Sequence, residues 1–344
     1  MKKHINIPIF IPHLGCPNQC VFCNQRTISG VECFDILRVK NEIDSALTTI
    51  SHSQEAEIAF FGGSFTGIDR DLMISLLKLA NEYILHSRVK SIRCSTRPDY
   101  INNEILDILK TYNVDTIELG LQSTSDKVLT LSKRGHLHSD EENACRLIVD
   151  RGFRLVGQMM IGLPGSSLSD EIETANFIVN CGATSARIYP TIVFRDTELC
   201  KMTENREYSP LELSEAIERS ARVLEIFDNN GVDVIRIGLC SSENLVDDEK
   251  YNAGPNHPAL GEMVESALYY NKIVRYLSKN NLFSNEILHI SVPRGSLSKV
   301  IGQKKNNKKR LISEYGFTDI KFTEDDSLSG YELKIEEERK RECT

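Results

Sequence analysis

Apolar segments of strand length alternate with amphipathic helical segments along most of the chain. This alternation predicts an α/β protein, in which helices cover a parallel sheet that is closed or partly closed into a barrel. The predicted strands are 5–11, 56–63, 91–96, 116–122, 154–163, 185–193 and 232–239. The predicted helices are 38–50, 70–85, 103–112, 140–152, 168–182 and 211–231, two of which end at a glycine, Gly152 and Gly182.

The pattern changes near residue 285. A strand (286–292), a helix (296–301), a tight turn (302–305), a second helix (306–316) and two strands (319–324 and 331–335) predict a small α+β domain. We therefore expect a barrel over 1–240, a connecting segment over 241–284, the small domain over 285–336 and a tail over 337–344. A proline- and glycine-rich stretch at 252–266 either packs against the small domain, which we favour, or covers the barrel mouth.

Polar motifs follow the predicted strands. GCPNQC follows the first strand, GGSFT the second and STRPD the third, while the fourth runs into LQS and the fifth into GLPG. In a parallel barrel the carboxyl ends of the strands meet at one edge, where catalytic groups gather. The motifs therefore predict one site built from many strand ends.

Composition and charge narrow the class of protein. The net charge of the 344 residues is −8, which does not favour a polyanionic partner for the molecule as a whole. No segment approaches the roughly 18 apolar residues of a membrane helix, and the apolar N-terminal segment is typical of a buried strand rather than a signal peptide. We expect a cytoplasmic protein without a membrane partner.

Three of the ten cysteines, Cys16, Cys20 and Cys23, lie within eight residues. Gaps of three and two residues let one short loop bind one face of an iron–sulfur cluster, and three thiolates leave one iron open to another ligand. Phe22 would shield such a cluster from water. The alternative is a structural zinc site, which needs a fourth ligand, and His13 is a lone histidine nearby. The seven other cysteines are scattered, which indicates buried small side chains rather than a second cluster. These are Cys33, Cys94, Cys145, Cys181, Cys200, Cys240 and Cys343.

The Cx3Cx2C motif at the end of a first strand, with an aromatic residue before its last cysteine, resembles the signature of the radical S-adenosylmethionine (SAM) superfamily. GGSFT resembles the family's Gly-Gly-Glu motif, with Ser64 in place of the acid. ELGLQS (118–123) and KRGH (133–136) resemble the Elongator catalytic subunit and oxygen-independent coproporphyrinogen oxidase branches. The resemblance covers about residues 5–240 and implies a partial barrel that binds one four-iron four-sulfur cluster and SAM.

The resemblance also implies roles for individual residues. Gly62, Gly63 and Ser64 would lie against the methionyl amine of SAM, since glycine allows close backbone approach. Gln122 would contact the ribose region, Arg134 the carboxylate and Gln158 another polar group of SAM. A structural role stays open for each of them, and Glu118 either serves the site or pairs with Arg97 or Arg187.

In such enzymes the open iron chelates SAM, and one electron cleaves SAM to methionine and a 5′-deoxyadenosyl radical that abstracts a hydrogen atom from the substrate. We expect a reduced flavodoxin or ferredoxin-type protein to donate the electron. No acid–base catalytic residue can be assigned from the sequence.

Residues 290–325 resemble a KH domain, in which a GxxG loop between two helices clamps a nucleic-acid backbone. The loop GQKK keeps Gly302 but has Lys305 at the second glycine. Residues 299–310 contain six basic residues and no acid, which favours a phosphate-binding surface on Lys304, Lys305, Lys308 and Lys309. The alternative is a solvated helix end.

Two functions follow. The first is an RNA-modifying radical SAM enzyme, with tRNA as its expected substrate, although the chain is too short for the acetyltransferase domain of the Elongator subunit. The second is an oxidoreductase of a small molecule, such as a porphyrinogen, that uses the basic unit as a lid. A non-enzymatic RNA-binding protein is least favoured, because the series of SAM motifs is intact.

Overall fold

The computed structural model of the protein describes residues 4–11, 15–16, 20–23, 35–51, 54–239, 251–282 and 287–338. Four residues considered above lie outside the described residues, namely His13, Cys33, Cys240 and Cys343. No helix in the described ranges has the length and apolar character needed to cross a membrane.

Seven parallel strands form the main sheet, which confirms the prediction from the alternating pattern. Their order is β1-β2-β3-β4-β5-β6-β8, and because β1 and β8 are both edge strands, the sheet is an open, partial barrel. The strand bounds agree with the predicted ones to within three residues. The strands are β1 (His4–Ile11), β2 (Glu55–Gly62), β3 (Ser91–Thr96), β4 (Val114–Gln122), β5 (Arg154–Ile161), β6 (Ser185–Pro190), β7 (Val193–Phe194), which lies outside the sheet, and β8 (Asp233–Ile237).

Helices connect the strands and begin where the sequence supplies caps. The side chains of Asp35, Asp69, Asn102 and Ser167 each accept a hydrogen bond from a backbone N–H in the first turn of the following helix. Gly152 and Gly182 follow two helices with φ of +75°, as predicted. The helices of the barrel are α1 (Ile36–Thr49), α2 (Arg70–Leu85), α3 (Asn103–Thr111), α4 (Asp126–Leu131), α5 (His138–Asp150), α6 (Leu168–Asn180), α7 (Glu198–Glu204) and α8 (Leu213–Asn229).

The two faces of the main sheet differ in polarity. One face is apolar and packs against the helices, with fully buried side chains such as Ile9, Ile58 and Leu119. The other face is the inside of the partial barrel and carries charged side chains that are also buried, including Glu57 and Glu118. Because a strand alternates its side chains between faces, one strand supplies both the core and the interior of the barrel.

The C-terminal part has its own three-stranded mixed sheet. Strand β10 (Ile287–Val292) lies in the centre, parallel to β11 (Asp319–Glu324) and antiparallel to β12 (Lys334–Glu338). Two helices, α10 (Leu297–Ile301) and α11 (Asn306–Tyr315), pack beside it. The predicted last strand, 331–335, lies three residues further along, because a turn in which Glu332 accepts a hydrogen bond from the Ser329 N–H precedes it.

A long helix joins the two hydrophobic cores. Helix α9 (Leu260–Asn280) places Val264 and Leu268 in the main core and Ile273 and Leu277 in the C-terminal core. It follows β9 (Tyr251–Ala253), which pairs with β7. Within the stretch 252–266, Leu260 and Val264 pack in the main core, and the carbonyl oxygen of Ser266 accepts a hydrogen bond from Asn307 of the C-terminal part. The predicted domain boundaries stay predictions.

Candidate active site

The loop after β1 docks on the loop after β2 through two glycines. A Cβ atom on Gly15 would lie 2.0 Å from the carbonyl oxygen of Ser64, and one on Gly67 would lie 2.4 Å from the oxygen of Gly15. Real Cβ atoms do not approach so closely, so glycine is required at both positions. This contact sets the position of Cys16, the next residue, against the GGSFT motif.

The second part of the cysteine loop is held from two other directions. The N–H of Val21 donates to the oxygen of Ser132 at 3.2 Å, and the N–H of Leu199 in α7 donates to the oxygen of Val21 at 2.8 Å. The Val21 side chain is buried with Leu199 and Tyr208. The alternation of strands and helices did not predict α7, yet this helix anchors the backbone between Cys20 and Cys23.

Two arginines lie near the cysteine sulfurs. The Nη1 atom of Arg134 donates to the Sγ atom of Cys20 at 3.4 Å. Burial raises the pKa of the Cys16 thiol, while the backbone N–H of Ser64 and the guanidinium groups of Arg97 and Arg134 oppose that rise. Cations and N–H donors favour the thiolate, which is the form that binds metals.

The described residues place Cys20 in a buried position and Cys16 and Cys23 in half-buried ones. No group of three metal-ligating side chains comes together among the residues that the structure describes. The joint binding of one cluster by the three cysteines therefore stays a prediction.

Gln122 and Arg134 meet at the end of β4. The pairing of β4 with β5 is irregular between Gly120 and Gln122, and Gln122 takes a left-handed backbone with φ of +75°. Arg134 donates to the carbonyl oxygen of Gly120 through Nη2. A β-bulge of this kind redirects a side chain, and a non-glycine residue at positive φ is a strained state that is typical of functional sites.

Three polar atoms at this edge have no hydrogen-bond partner among the described residues. They are the Oε1 atom of Gln122, the Nε atom of Arg134 and the Nη1 atom of Arg97. Their residues are only 4–6% exposed. A buried polar atom without a partner costs about 1–3 kcal/mol, so one acceptor and two donors here are suited to bind a polar ligand.

Arg97 of the STRPD motif was considered from the sequence only as a possible partner of Glu118, and the structure pairs it with Asp99 instead. It binds Asp99 through two hydrogen bonds of 2.9 and 3.0 Å and donates to the carbonyl oxygen of Arg134. It also contacts His136 of the KRGH motif, whose other ring nitrogen lies 3.2 Å from Glu141. Arg97 thus joins the end of β3 to the loop that carries Arg134.

The residues of the GGSFT motif make contacts that do not require SAM. A Cβ atom on Gly62 would lie 2.3 Å from the oxygen of Ile11, and the Gly63 N–H donates to that same oxygen at 3.0 Å. The Ser64 hydroxyl bonds to the hydroxyl of Thr96 at 2.8 Å and accepts from the N–H of Arg97. The contacts of these three residues with SAM stay predictions.

Glu118 and Gln158 face the interior of the barrel further down the strands. Glu118 pairs with Arg187 at 2.8 Å and with Arg93 at 2.9 Å, so the sequence-based alternative of a pairing with Arg187 is the one observed. Gln158 on β5 is half-buried and lies in register between Gly120 on β4 and Arg187 on β6. Its contact with SAM stays a prediction.

The basic loop of the C-terminal part has a special backbone. Lys304 and Lys305 are both exposed and have positive φ values of 51° and 61°. Lys305 stands where a KH loop has its second glycine, and it takes the left-handed backbone that glycine would favour. Gly302 has φ of +77°, and the amide of buried Asn307 holds the loop through hydrogen bonds to Ser266 and to the oxygen of Val300.

Half of the six basic residues in 299–310 are paired with acids from outside that segment. Lys299 pairs with Glu265 at 2.8 Å, Lys308 with Asp319 at 2.7 Å and Arg310 with Glu314 at 3.3 Å. Lys309 is exposed, like Lys304 and Lys305. The segment is therefore less positive than its sequence predicts, and its contact with RNA stays a prediction.

The comparisons with known proteins agree with the geometry. Residues 10–178 match the radical SAM superfamily, and residues 183–270 match the radical SAM C-terminal domain. An uncharacterized protein of Methanocaldococcus jannaschii is 30% identical over 236 residues, which are 65% of this chain and 72% of that protein. The chain belongs to the radical SAM superfamily and is an enzyme whose cofactors are a four-iron four-sulfur cluster and SAM.

Other relatives are similar over part of their length. Mouse Elongator complex protein 3 is 30% identical over 64% of this chain and 46% of its own length. A tRNA uridine(34) acetyltransferase of Methanocaldococcus infernus is 33% identical over 40% of this chain and 26% of its own. The chain thus spans between a quarter and a half of these two proteins. The solved structure of archaeal Elp3 from M. infernus has the same fold, with a TM-score of 0.60 and 20% identity over 83% of this chain and 65% of that one.

The residues at this edge fit the family's cofactors. Two guanidinium groups near Cys16 and Cys20 suit thiolates and an anionic cluster. The buried atoms without partners on Gln122, Arg134 and Arg97 suit a ligand with both polar donors and acceptors, as SAM has.

Proposed function

We propose that Cys16, Cys20 and Cys23 hold one four-iron four-sulfur cluster, that SAM binds beside it on Gln122 and Arg134, and that the enzyme modifies RNA. The observation that carries the cofactor site is Arg134. This one guanidinium reaches the sulfur of Cys20 and the oxygen of Gly120, and its Nε atom has no partner among the described residues. The three cysteines would hold the cluster, and a bound, reduced cluster would provide the electron for reductive cleavage of SAM.

The chain's own residues bind, orient and exclude water. Arg134 is positioned to receive a carboxylate, because a guanidinium has donors left after its contacts with Cys20 and Gly120. Gln122 offers the buried Oε1 acceptor to a hydroxyl or ammonium group. Phe22, between Cys20 and Cys23, is half-buried and would limit water at the cluster. A reduced flavodoxin or ferredoxin-type protein would supply the electron.

RNA is the substrate class that relatives and charge favour together. Two relatives carry the names of tRNA uridine(34) acetyltransferase and Elongator complex protein 3. The C-terminal part presents exposed Lys304, Lys305 and Lys309 on a loop between two helices, on a chain whose net charge is −8. Lysines bind phosphate oxygens without reading sequence, so this loop would position RNA while the barrel acts on one nucleotide.

The first experiment tests the cofactor site. The protein is reconstituted anaerobically with iron and sulfide, reduced and mixed with SAM, and release of 5′-deoxyadenosine is measured with and without bulk tRNA. We expect release in both cases and a modified nucleoside by mass spectrometry when tRNA from a strain lacking the gene is used. Zinc in place of iron, or intact SAM after reduction, would contradict the cofactor site.

A second experiment tests the RNA. The variant Lys304→Glu with Lys305→Glu should bind tRNA at least tenfold more weakly than the natural chain, with unchanged iron content. Unchanged tRNA affinity would remove RNA as the substrate. A metabolite that stimulates 5′-deoxyadenosine release where RNA does not would instead support the small-molecule alternative.

A further inference from the structure

A continuous chain of buried ion pairs crosses the inside of the partial barrel. Arg93 on β3 binds Glu57 on β2 at 2.7 Å and Glu118 on β4 at 2.9 Å. Glu118 also binds Arg187 on β6 at 2.8 Å. Each carboxylate thus has a guanidinium partner, as buried charges require.

All three nitrogen atoms of the Arg187 guanidinium lie against Glu118 or Tyr189. Its Nη2 atom donates to Glu118 at 3.0 Å, while its Nε atom lies 2.8 Å from the other carboxylate oxygen at an angle too poor for a hydrogen bond. Its Nη1 atom donates to the hydroxyl oxygen of Tyr189 at 3.3 Å. The Tyr189 hydroxyl is therefore an acceptor toward Arg187, which leaves its own hydrogen free to be donated elsewhere.

The next arginine, Arg236 on β8, differs from the others. It lies in register with Arg187, and the register shift at Ile235 lets both Val234 and Ile237 pack against the helix-covered core on the opposite face. Arg236 consequently projects into the barrel. It is half-buried, and it makes no hydrogen bond or ion pair to any of the described residues. A partly desolvated charge without a counter-ion among the described residues is unfavourable, so this guanidinium is suited to bind an anionic ligand.

We propose that Arg236 and the Tyr189 hydroxyl bind an anionic group, a phosphate or a carboxylate, of the substrate. A guanidinium fork beside a hydroxyl donor matches the oxygens of such a group. Burial raises the pKa of the Tyr189 phenol, and the positive charges of Arg187 and, to a smaller extent, Arg236 oppose that rise. The inference rests on the proposed function, because it assumes that the barrel interior receives the substrate.

The spacing of the strands separates this anion from SAM. The carboxylate of SAM is expected at Arg134, which contacts Gly120 on β4. Gly120, Gln158, Arg187 and Arg236 lie in register on four adjacent strands. Three strand spacings of about 4.8 Å put Arg236 about 14 Å away along the sheet, so its anion belongs to a second molecule.

The test uses the full-length reconstituted enzyme with SAM and two probes, inorganic phosphate and malonate. Binding is followed by the rise in unfolding temperature on titration. All variants are made in a background that carries Lys304→Glu and Lys305→Glu, because these changes remove anion binding at the basic segment 299–310. Arg236→Gln loses one charge-assisted contact, so it should bind the probe about ten- to a hundredfold more weakly than the background. Because Arg236 has no ion pair to lose among the described residues, this variant should fold.

Two further variants sharpen the result. Tyr189→Phe keeps the ring but removes the hydroxyl donor, so it should bind the probe several-fold more weakly. Arg222→Gln, on the outer surface of α8 with a partner 3.3 Å away at Glu218, makes the same change of charge and should bind like the background. Preference for phosphate indicates a nucleotide substrate, and preference for malonate indicates an acidic metabolite. Equal probe affinity in Arg236→Gln and the background would overturn the inference.

Iron content and SAM cleavage without substrate distinguish a failure of the anion site from a failure of the proposed function. If the background enzyme holds the cluster and cleaves SAM but Arg236→Gln binds the probe unchanged, only the anion site fails. If the background enzyme holds no cluster, the proposed function itself fails.

Discussion

Two regions of the sequence are candidates for ligand binding: the strand ends around the cysteines, and the basic segment 299–310 of the C-terminal part. They differ in whether their polar groups have partners. At the strand ends, buried atoms of Gln122, Arg134 and Arg97 have no partner among the described residues. In the basic segment, Lys299, Lys308 and Arg310 are neutralised by acids. Unsatisfied buried groups cost stability, and a ligand bound at the strand ends would compensate for these three. The strand ends are thus the stronger candidate for a binding site.

The largest effect should follow loss of a cluster thiolate. Cys20→Ala should abolish iron binding and SAM cleavage, because two thiolates do not replace three. Iron and sulfide content after reconstitution, and the electron paramagnetic resonance signal of the reduced protein, measure this. Cys181→Ala, a half-buried cysteine far along the chain, is the matched control and should keep its cluster. A full cluster in Cys20→Ala would show that Cys20 is not needed to hold the cluster. The strand ends would then no longer be the stronger candidate for a binding site.

The next effect concerns the docking of the two loops. Gly15→Ala forces a Cβ atom to within 2.0 Å of the Ser64 oxygen, so the cysteine loop must move. We expect most of the bound iron to be lost. Gly182→Ala meets no atom within 4 Å, and it should cost about 1 kcal/mol through its positive φ while retaining iron. Iron per chain and the free energy of unfolding separate the two variants, and equal iron content would show that the contact does not position the cluster.

A smaller effect is expected for SAM binding. Arg134→Gln removes a charged donor, and SAM should bind about ten- to a hundredfold more weakly, by about 1.5–3 kcal/mol. Equilibrium dialysis on reconstituted protein measures the dissociation constant, and iron content is checked in parallel. Arg146→Gln on the exposed face of α5, where Arg146 donates a hydrogen bond to Asn143, changes the charge equally and should leave SAM binding unchanged. Unaltered affinity in Arg134→Gln would exclude its role at SAM.

The smallest effect compares two lysines of the basic segment. Lys304 is exposed, whereas Lys308 pairs with Asp319 at 2.7 Å. If RNA phosphate contacts Lys304, Lys304→Gln should reduce the slope of log affinity against log salt by about 0.7–0.9. Lys308→Gln should reduce it less, because its charge is already balanced. Equal slopes in both variants would show that the ion pair does not matter for RNA binding.

Much of the fold followed from the periodicity of the sequence. The seven strands of the main sheet and the βααββ order of the C-terminal part were predicted because alternation between period 2 and period 3.6 is local and strong. Helices α4, α7 and α9 were not predicted. The seven residues of α7 are too few for a clear period, and their position depends on the hydrogen bond between Leu199 and Val21.

The candidate site stays a prediction. Arg134 lies beside the sulfur of Cys20, and Gln122 and Arg134 both lie beside Gly120. The sequence did not indicate the roles of Gly15 and Gly67, since a glycine in a loop has many uses, and it suggested Glu118 rather than Asp99 as the partner of Arg97. Glycines that exist for close approach are recognised only when the opposing atom is known.

The sequence by itself determined the class of protein, because ligand spacing, strand order and turn residues are encoded within short stretches of chain. Only the tertiary structure decided which charges stay unpaired. Lys308 pairs with Asp319, which is 11 residues away, and Glu118 pairs with Arg187, which is 69 residues away. Arg236, by contrast, pairs with no acid among the described residues. Partners distant in sequence are chosen by the packing of strands and helices, and the cost of an unbalanced charge depends on the burial that this packing creates.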